Sequence, residues 1–314
     1  MGTRRRQRPS TTLRSNATSV NRMVLDQEHA ATTHKHGIVL VAAGAIGFSS
    51  IIIFTRLITG LTSSGIAFFR ALTSFLFFSA LLPWFPRTLQ VRHYQEQIIR
   101  LVGLGLTVGL TGMLYVYSVQ HTTAANAVLL NNTSTVYVAL LSPWLLREAR
   151  SRHTWLSVGL AFAGIVCIAN PTALRWASSE FKGILAGTLS GFSYTLTMLL
   201  SRRLRGCVSG VTQVWWSTGI AGLLALPWAF QAPANVVVRN IPFILALGVL
   251  AQGLPYMLYF LGLERVPAQV VSVVALLEPV SGILIGMLFY REMPTAVGVA
   301  GIFLVLTSIV LVSR

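Results

Sequence analysis

From position 38 onward the chain is a succession of apolar runs of roughly 20 residues, separated by short polar or basic stretches. Runs of this length with few charges match the hydrocarbon thickness of a bilayer at 1.5 Å rise per residue, so each reads as a membrane-crossing helix rather than a buried core helix. The pattern predicts helices over 38–58, 64–84, 99–119, 123–145, 154–170, 182–202, 209–230, 241–262, 266–289 and 295–313. Composition agrees: 54% of residues are hydrophobic and 10% are charged, against roughly 25% charged in an ordinary soluble domain. Residues 1–36 are polar and basic, and read as a disordered cytoplasmic tail with no cleavable leader.

The runs are arranged as a repeat. A single ungapped shift of 144 residues places Gly47-Phe48-Ser49 on Gly191-Phe192-Ser193, Pro83-Trp84 on Pro227-Trp228 and Gly109-Leu110 on Gly253-Leu254. The same shift places Met113-Leu114-Tyr115 on Met257-Leu258-Tyr259 and Arg147-Glu148 on Arg291-Glu292. Chance matches in an apolar chain do not align Trp, Tyr, Arg and Glu in one register. The halves are 37–171 and 181–313, each with five helices. Five is odd, so the second half enters the membrane from the opposite side. The expected fold class is therefore an all-α membrane protein with ten transmembrane helices as two inverted five-helix repeats, an arrangement used by many secondary transporters.

The formal net charge of +16 changes the picture only through where it lies. The tail holds seven of the Lys and Arg residues, and Arg87, Arg92, Arg100, Arg147, Arg150, Arg152, Arg202, Arg203, Arg205, Arg265 and Arg314 fall on the same side when the helices are threaded in order. The other side holds Arg56, Arg175, Lys182, Arg239 and Arg291. Lys and Arg in short loops stay cytoplasmic, so both termini are expected inside, in the cell membrane, and the basic charge requires no nucleic acid. Trp84, Trp144, Trp155 and Trp228 lie at helix ends, where interfacial indoles belong. Cys167 and Cys207 are expected towards opposite faces and form no disulfide framework.

Phe68-Phe69-Arg70-Ala71, Leu276-Leu277-Glu278-Pro279-Val280, and the repeat-ending Leu145-Leu146-Arg147-Glu148 and Phe289-Tyr290-Arg291-Glu292, taken with the repeat length and spacing, resemble the EamA-type branch of the drug/metabolite transporter superfamily. The resemblance covers about residues 38–313. It implies a ten-helix fold, a central cavity lined from both halves, and export of amino acids, metabolites or drugs driven by an ion gradient. The family pattern carries a proline in the fourth helix of each half. Here the second half has Pro279, whereas the aligned first-half residue is Thr135 and Pro143 lies further along.

Among eight acidic residues, Glu278 alone lies well inside an apolar run. A charged side chain at that depth costs about 2.5–3.5 kcal/mol on insertion scales, which makes it the candidate ion-coupling group. Arg70, about seven residues into its helix, is the matching cation, and the two are expected to face one cavity, paired together or sharing a zwitterionic substrate. A static brace between halves is the competing reading. Asn126, Asn131, Asn132, Thr133, Ser134 and Thr135 make the fourth run unusually polar, and the face carrying Asn131 and Ser134 is expected to line the cavity; interhelical hydrogen bonding is the rival account. Tyr115 and its repeat counterpart Tyr259, with Tyr117, Tyr194, Gln252 and Tyr256 nearby in pattern, supply an apolar wall with orienting hydroxyls, and Trp215 is a further candidate for substrate contact. The Gly-Phe-Ser triplets read as close helix contacts.

No metal or cofactor is expected. The six histidines fall in the tail or at loops and helix ends, which leaves no His cluster or dyad inside the membrane, and Glu278 lacks a second carboxylate. An intramembrane enzyme, and a channel or scaffold, remain the alternative classes. The partners implied are a small-molecule substrate, protons through Glu278, and membrane lipids.

Overall fold

The computed structural model describes residues 32–84, 94–121, 130–147, 152–169, 178–290 and 295–312, and helix is the only regular structure among them. Asn126, Arg175, Arg291, Glu292 and the tail up to residue 31 lie outside the described residues. The rods in chain order are α1 (32–57), α2 (Ser63–Leu81), α3 (Tyr94–His121), α4 (130–145), α5 (Arg152–Ala169), α6 (Ser178–Arg203), α7 (Gly210–Ala229), α8 (Ala234–Leu263), α9 (268–290) and α10 (Ala296–Val312). Six of them, α1, α2, α3, α6, α8 and α9, are long and apolar enough to cross a membrane.

The bundle inverts the soluble pattern of burial. Leu223 is 70% exposed and Leu288 78%, large apolar side chains on the outer surface. The interior holds many Ser, Thr and Gln side chains. Their hydroxyls mostly bond carbonyls one turn back, as Ser79 does to Phe75 (2.8 Å) and Thr111 to Thr107 (2.7 Å). Others tie helices together. Ser193 Oγ donates to Thr107 O at 2.9 Å, joining α6 to α3, and Gln269 Nε2 donates to Ser142 Oγ at 2.7 Å, joining α9 to α4. With apolar lipid outside, close contact and internal hydrogen bonds hold the helices together.

Glycines set the closest contacts. An added Cβ at Gly47 would lie 2.8 Å from Pro255 Cγ, and one at Gly191 would lie 2.6 Å from Leu130 O. Both Gly-Phe-Ser triplets thus lie where helices meet, α1 on α8 and α6 on α4. Gly109 and its counterpart Gly253 behave alike, the first letting α3 approach Ala221 and Leu224 of α7, the second letting α8 approach Ser74 and Phe78 of α2. The main pairings are α3 with α6, α5 with α10, and α2 and α3 with α7.

Four rods are broken. At Ser50 in α1 both N–H and hydroxyl bond Gly47 O. In α4 a turn at Thr133 separates 130–132 from Ser134–Leu145, and in α9 a turn at Ala275 and Leu276 separates Ala268–Val274 from Leu277–Tyr290. The two fourth helices therefore break at nearly equivalent repeat positions, although Thr135 stands where Pro279 does in the second half. The fourth rod, α8, contains a π turn, Val249–Gly253, just before Pro255. Pro255 lacks the N–H that would bond Ala251 O, and the widened turn accommodates that loss. This rod also begins earlier than its apolar run, at Ala234 rather than 241. Its first turns are polar, and Asn240 anchors them by exchanging hydrogen bonds with Thr59 N (3.2 Å) and Thr59 O (3.0 Å).

The ends of the rods separate by charge. At one end Arg203 Nη2 donates to Leu145 O at 2.8 Å and Arg202 donates to Leu263 O, so the last turns of α4, α6 and α8 lie together. Gly37, near the start of α1, packs there against Arg265 and Val266. At the opposite end the α1–α2 loop meets the start of α8 through Thr59 and Asn240.

Candidate functional site

The α2 helix starts cleanly at Thr62, whose side chain accepts from Gly65 N–H at 3.2 Å, and carries Arg70 two turns in. The guanidinium fits against Gly112 of α3, where an added Cβ would be 2.9 Å from Nη2. Arg70 Nε is buried without a hydrogen-bond partner. Tyr115 lies one turn beyond Gly112. From α8, Gln252 on the π turn and Tyr256 four residues later present one face. Phe48 of α1 meets the Tyr256 ring edge-on at 4.8 Å between centroids. From the other half, Glu278 begins the second piece of α9, with its N–H bonded to Ala275 O at 2.9 Å.

These groups enclose one cavity of about 80 Å³, lined by Phe48, Ile51, Arg70, Thr111, Gly112, Tyr115, Asn131, Tyr194, Ala251, Gln252, Tyr256 and Glu278. Arg70 and Glu278 act electrostatically on each other and on Tyr115 and Tyr256. Asn131 enters from α4, its Oδ1 accepting from Ser190 Oγ at 3.1 Å. The cavity therefore combines one cation, one acid, an amide already oriented by a serine, three tyrosines and a buried amide oxygen, Gln252 Oε1, that has no partner. Such a set offers donors and acceptors for charge-assisted hydrogen bonds to groups of either sign of charge. Among the described residues no group of three His, Cys, Asp or Glu is placed to hold a metal.

The structure thus brings Arg70, Tyr115, Asn131, Tyr194, Tyr256 and Glu278 together, and leaves three other candidates elsewhere. Ser134 is 1% exposed and its carbonyl accepts from Thr195 Oγ1 at 3.3 Å; it belongs to the α4–α6 contact. Tyr259 is 0% exposed and stacks on Tyr194 at 6.2 Å between centroids, so it supports the wall from behind. Trp215 faces a separate apolar pocket between α2 and α7, where it stacks on Phe75 at 5.4 Å and donates Nε1–H to Ser79 Oγ at 2.8 Å. Gln252, grouped with the tyrosines in the sequence pattern, does line the cavity, as do Thr111 and Phe48, which are not singled out by the sequence as site residues. For Gln252 the available signal is its spacing of four from Tyr256, which puts both on one helix face.

A helical bundle with an apolar outer surface and an internal cavity lined by both an arginine and a glutamate is that of a polytopic membrane transporter. The family model of the EamA-like transporter family matches residues 35–170 and again 181–314. The chain belongs to that family, within the drug/metabolite transporter superfamily. It is 27% identical over 280 residues to an uncharacterized transporter of Archaeoglobus fulgidus, covering 89% of this chain and 97% of the relative. It is 26% identical over 229 residues to the threonine/homoserine exporter RhtA of Escherichia coli, covering 72% and 73%. A solved structure titled "Crystal structure of protein" superposes with a TM-score of 0.73 at 17% identity, covering 91% of this chain and 97% of the other, which establishes likeness of fold.

Proposed function

We propose that this chain is a secondary active carrier that exports amino acids or related small metabolites by alternating access, with the proton as coupling ion. The single observation that carries the reading is the shared cavity of Arg70 and Glu278, set inside an apolar bundle and lined by buried polar atoms without partners, Arg70 Nε and Gln252 Oε1. A zwitterion suits this pair: its carboxylate bonds Arg70, whose Nε has no partner, and its ammonium pairs with Glu278. A carboxyl group in this position is neutralised either by a proton or by a cationic substrate group. Occupation by one excludes the other, which is the linkage that antiport requires. Similarity to threonine/homoserine exporters supports the amino-acid class.

The architecture of this reading is ten membrane-crossing helices in two inverted halves. It is supported by the reciprocal pairings, with α2 meeting α7, α4 meeting α9 and α5 meeting α10, each its own repeat counterpart. It is also supported by the start of α1 and the finish of α6 lying at the same end of the bundle. Two equivalent halves exchange conformations and expose a midplane site to one side at a time. Both termini are cytoplasmic and the carrier resides in the cell membrane.

Purified protein in proteoliposomes tests this directly with labelled amino acids. An imposed pH gradient is expected to drive saturable uptake, and Glu278→Gln to reduce the gradient-driven component about tenfold or more. Uptake indifferent to the gradient, or unaltered in the Glu278→Gln protein, rules out coupling through this residue. Vesicles that take up no amino acid above the empty-vesicle background rule out the substrate class.

A further inference from the structure

Gln252 is 3% exposed, and its Oε1 has no hydrogen-bond partner. It projects from the π turn of α8, a local widening that places a side chain where an unbroken α-helix would not. Gly248 and Gly253 bracket that turn and press it onto α2. An added Cβ at Gly248 would lie 1.7 Å from Thr73 Oγ1, and one at Gly253 2.7 Å from Ser74 Oγ. The backbone that carries Gln252 is therefore held close against α2.

Gln252 also stands between two spaces. On one side is the cavity with Glu278, Tyr115 and Asn131. On the other is a chamber of about 20 Å³ between α2, α3 and α7, walled mainly by Ala67, Ala71, Gly109, Ala221 and Ala225. Arg70 and Tyr256 line both as well. The small chamber has room for about one water-sized group, and its walls, which include Val108 and Met113, are apolar except where Gln252, Arg70 and Tyr256 face it.

We infer that this chamber receives the substrate's side chain and that Gln252 selects side chains bearing a hydrogen-bond donor. The inference rests on the proposed carriage of amino acids and adds which ones. With the carboxylate held at Arg70 and the ammonium towards Glu278, the side chain of a small α-amino acid points past Arg70 into the chamber. An amide oxygen buried there accepts a hydrogen bond from a short hydroxyl-bearing side chain and stays unpaired against an alkyl side chain of the same shape. A buried acceptor left unpaired is the physical basis of discrimination against isosteres. Side chains longer than a few atoms meet Ala221 and Ala225.

The test uses the full chain in proteoliposomes and measures competition by isosteric probes against labelled serine. Threonine with valine, and serine with 2-aminobutyrate, form pairs of similar size with and without a donor. The unaltered protein is expected to favour the hydroxylated member of each pair by about tenfold, and Gln252→Leu to bring the ratio close to one. Gln252→Asn, which keeps the amide but withdraws it, is expected to give an intermediate ratio and serves if the leucine protein does not fold. The ratio is the informative quantity, because loss of folded protein lowers both uptakes together and leaves it unmoved. Equal competition by both members in the unaltered protein, or a ratio retained in both variants, overturns the selective role while leaving amino-acid transport intact. No amino-acid uptake by the unaltered protein overturns both proposals.

Discussion

At the scale of single residues, the halves have diverged where the cavity lies. The 144-residue register sets Arg70 against Val214, Glu278 against Ser134, Tyr256 against Gly112 and Gln252 against Val108. One member of each pair supplies a polar or charged group, and the other is apolar, small or bonded away from the cavity. Gly112 illustrates the consequence: its missing side chain is what makes room for the Arg70 guanidinium. A different residue, Glu264, follows the last turn of α8 outside the membrane-crossing segment. Its carboxylate accepts from Gly210 N–H at the start of α7 and lies near Arg265 and Arg205, yet burial outweighs these and pushes its pKa up from the usual carboxylate range. A raised value means the folded state binds the proton more tightly than the unfolded chain. Stability from this group is therefore full below the ordinary carboxylate pKa and is lost as pH rises through the shifted one. As pH rises from about 4 through the raised value, the thermal midpoint in detergent is expected to fall by more in the unaltered protein than in Glu264→Gln. Parallel profiles for the two proteins exclude this role.

At the scale of elements, the apolar runs located the rods because length and hydrophobicity alone distinguish a membrane helix, and Gly47 and Gly191 are legible as contact points because only a missing side chain fits there. What happens inside a rod is less legible. The π turn at Val249–Gly253 inserts width without changing hydrophobicity, and the break at Thr133 occurs with no proline at the aligned position, so neither leaves a mark in the apolar pattern. The same limit explains Trp215. Its depth in α7 is readable, but its partner Ser79 comes from α2, and no periodicity within α7 states which helix lies beside that indole. Arg70 and Glu278 were legible together because a charge in lipid must turn inward, whatever surrounds it. The α2–α8 contact yields a sharp expectation. A side chain at Gly248 meets Thr73 Oγ1 at 1.7 Å and Arg70 O at 2.9 Å, and the second is backbone that cannot rotate away. Gly248→Val is expected to lose roughly 1–3 kcal/mol or more of stability, seen as a lower thermal midpoint and less monodisperse protein. Gly159→Val, with nothing within 4 Å of its added Cβ, is the matched control.

At the scale of the whole molecule, orientation follows from how charge is distributed between the two ends. The described arginines at the α4–α6–α8 end include Arg147, Arg202, Arg203, Arg205 and Arg265, and two of them bond the last carbonyls of neighbouring rods, Leu145 and Leu263. Arginine there satisfies helix-end carbonyls that have no intrahelical donor, and under the proposed topology the same charges would keep this end on the cytoplasmic side. The opposite end meets through neutral Thr59 and Asn240, with Arg239 beside them. An orientation set by this asymmetry places the α6–α7 turn inside and the α7–α8 turn outside. Cys207 lies in the first turn and exposed Gln231 in the second. In a Cys167→Ser background, a membrane-impermeant maleimide is expected to label Gln231→Cys in intact cells, and Cys207 only after permeabilisation. The two sites are separated by one rod, α7, so labelling from the same side denies that α7 crosses the bilayer at all. The reversed pattern would leave the fold intact but turn the carrier over, and the arginine-rich end would then have been retained on the outer face against the charge rule.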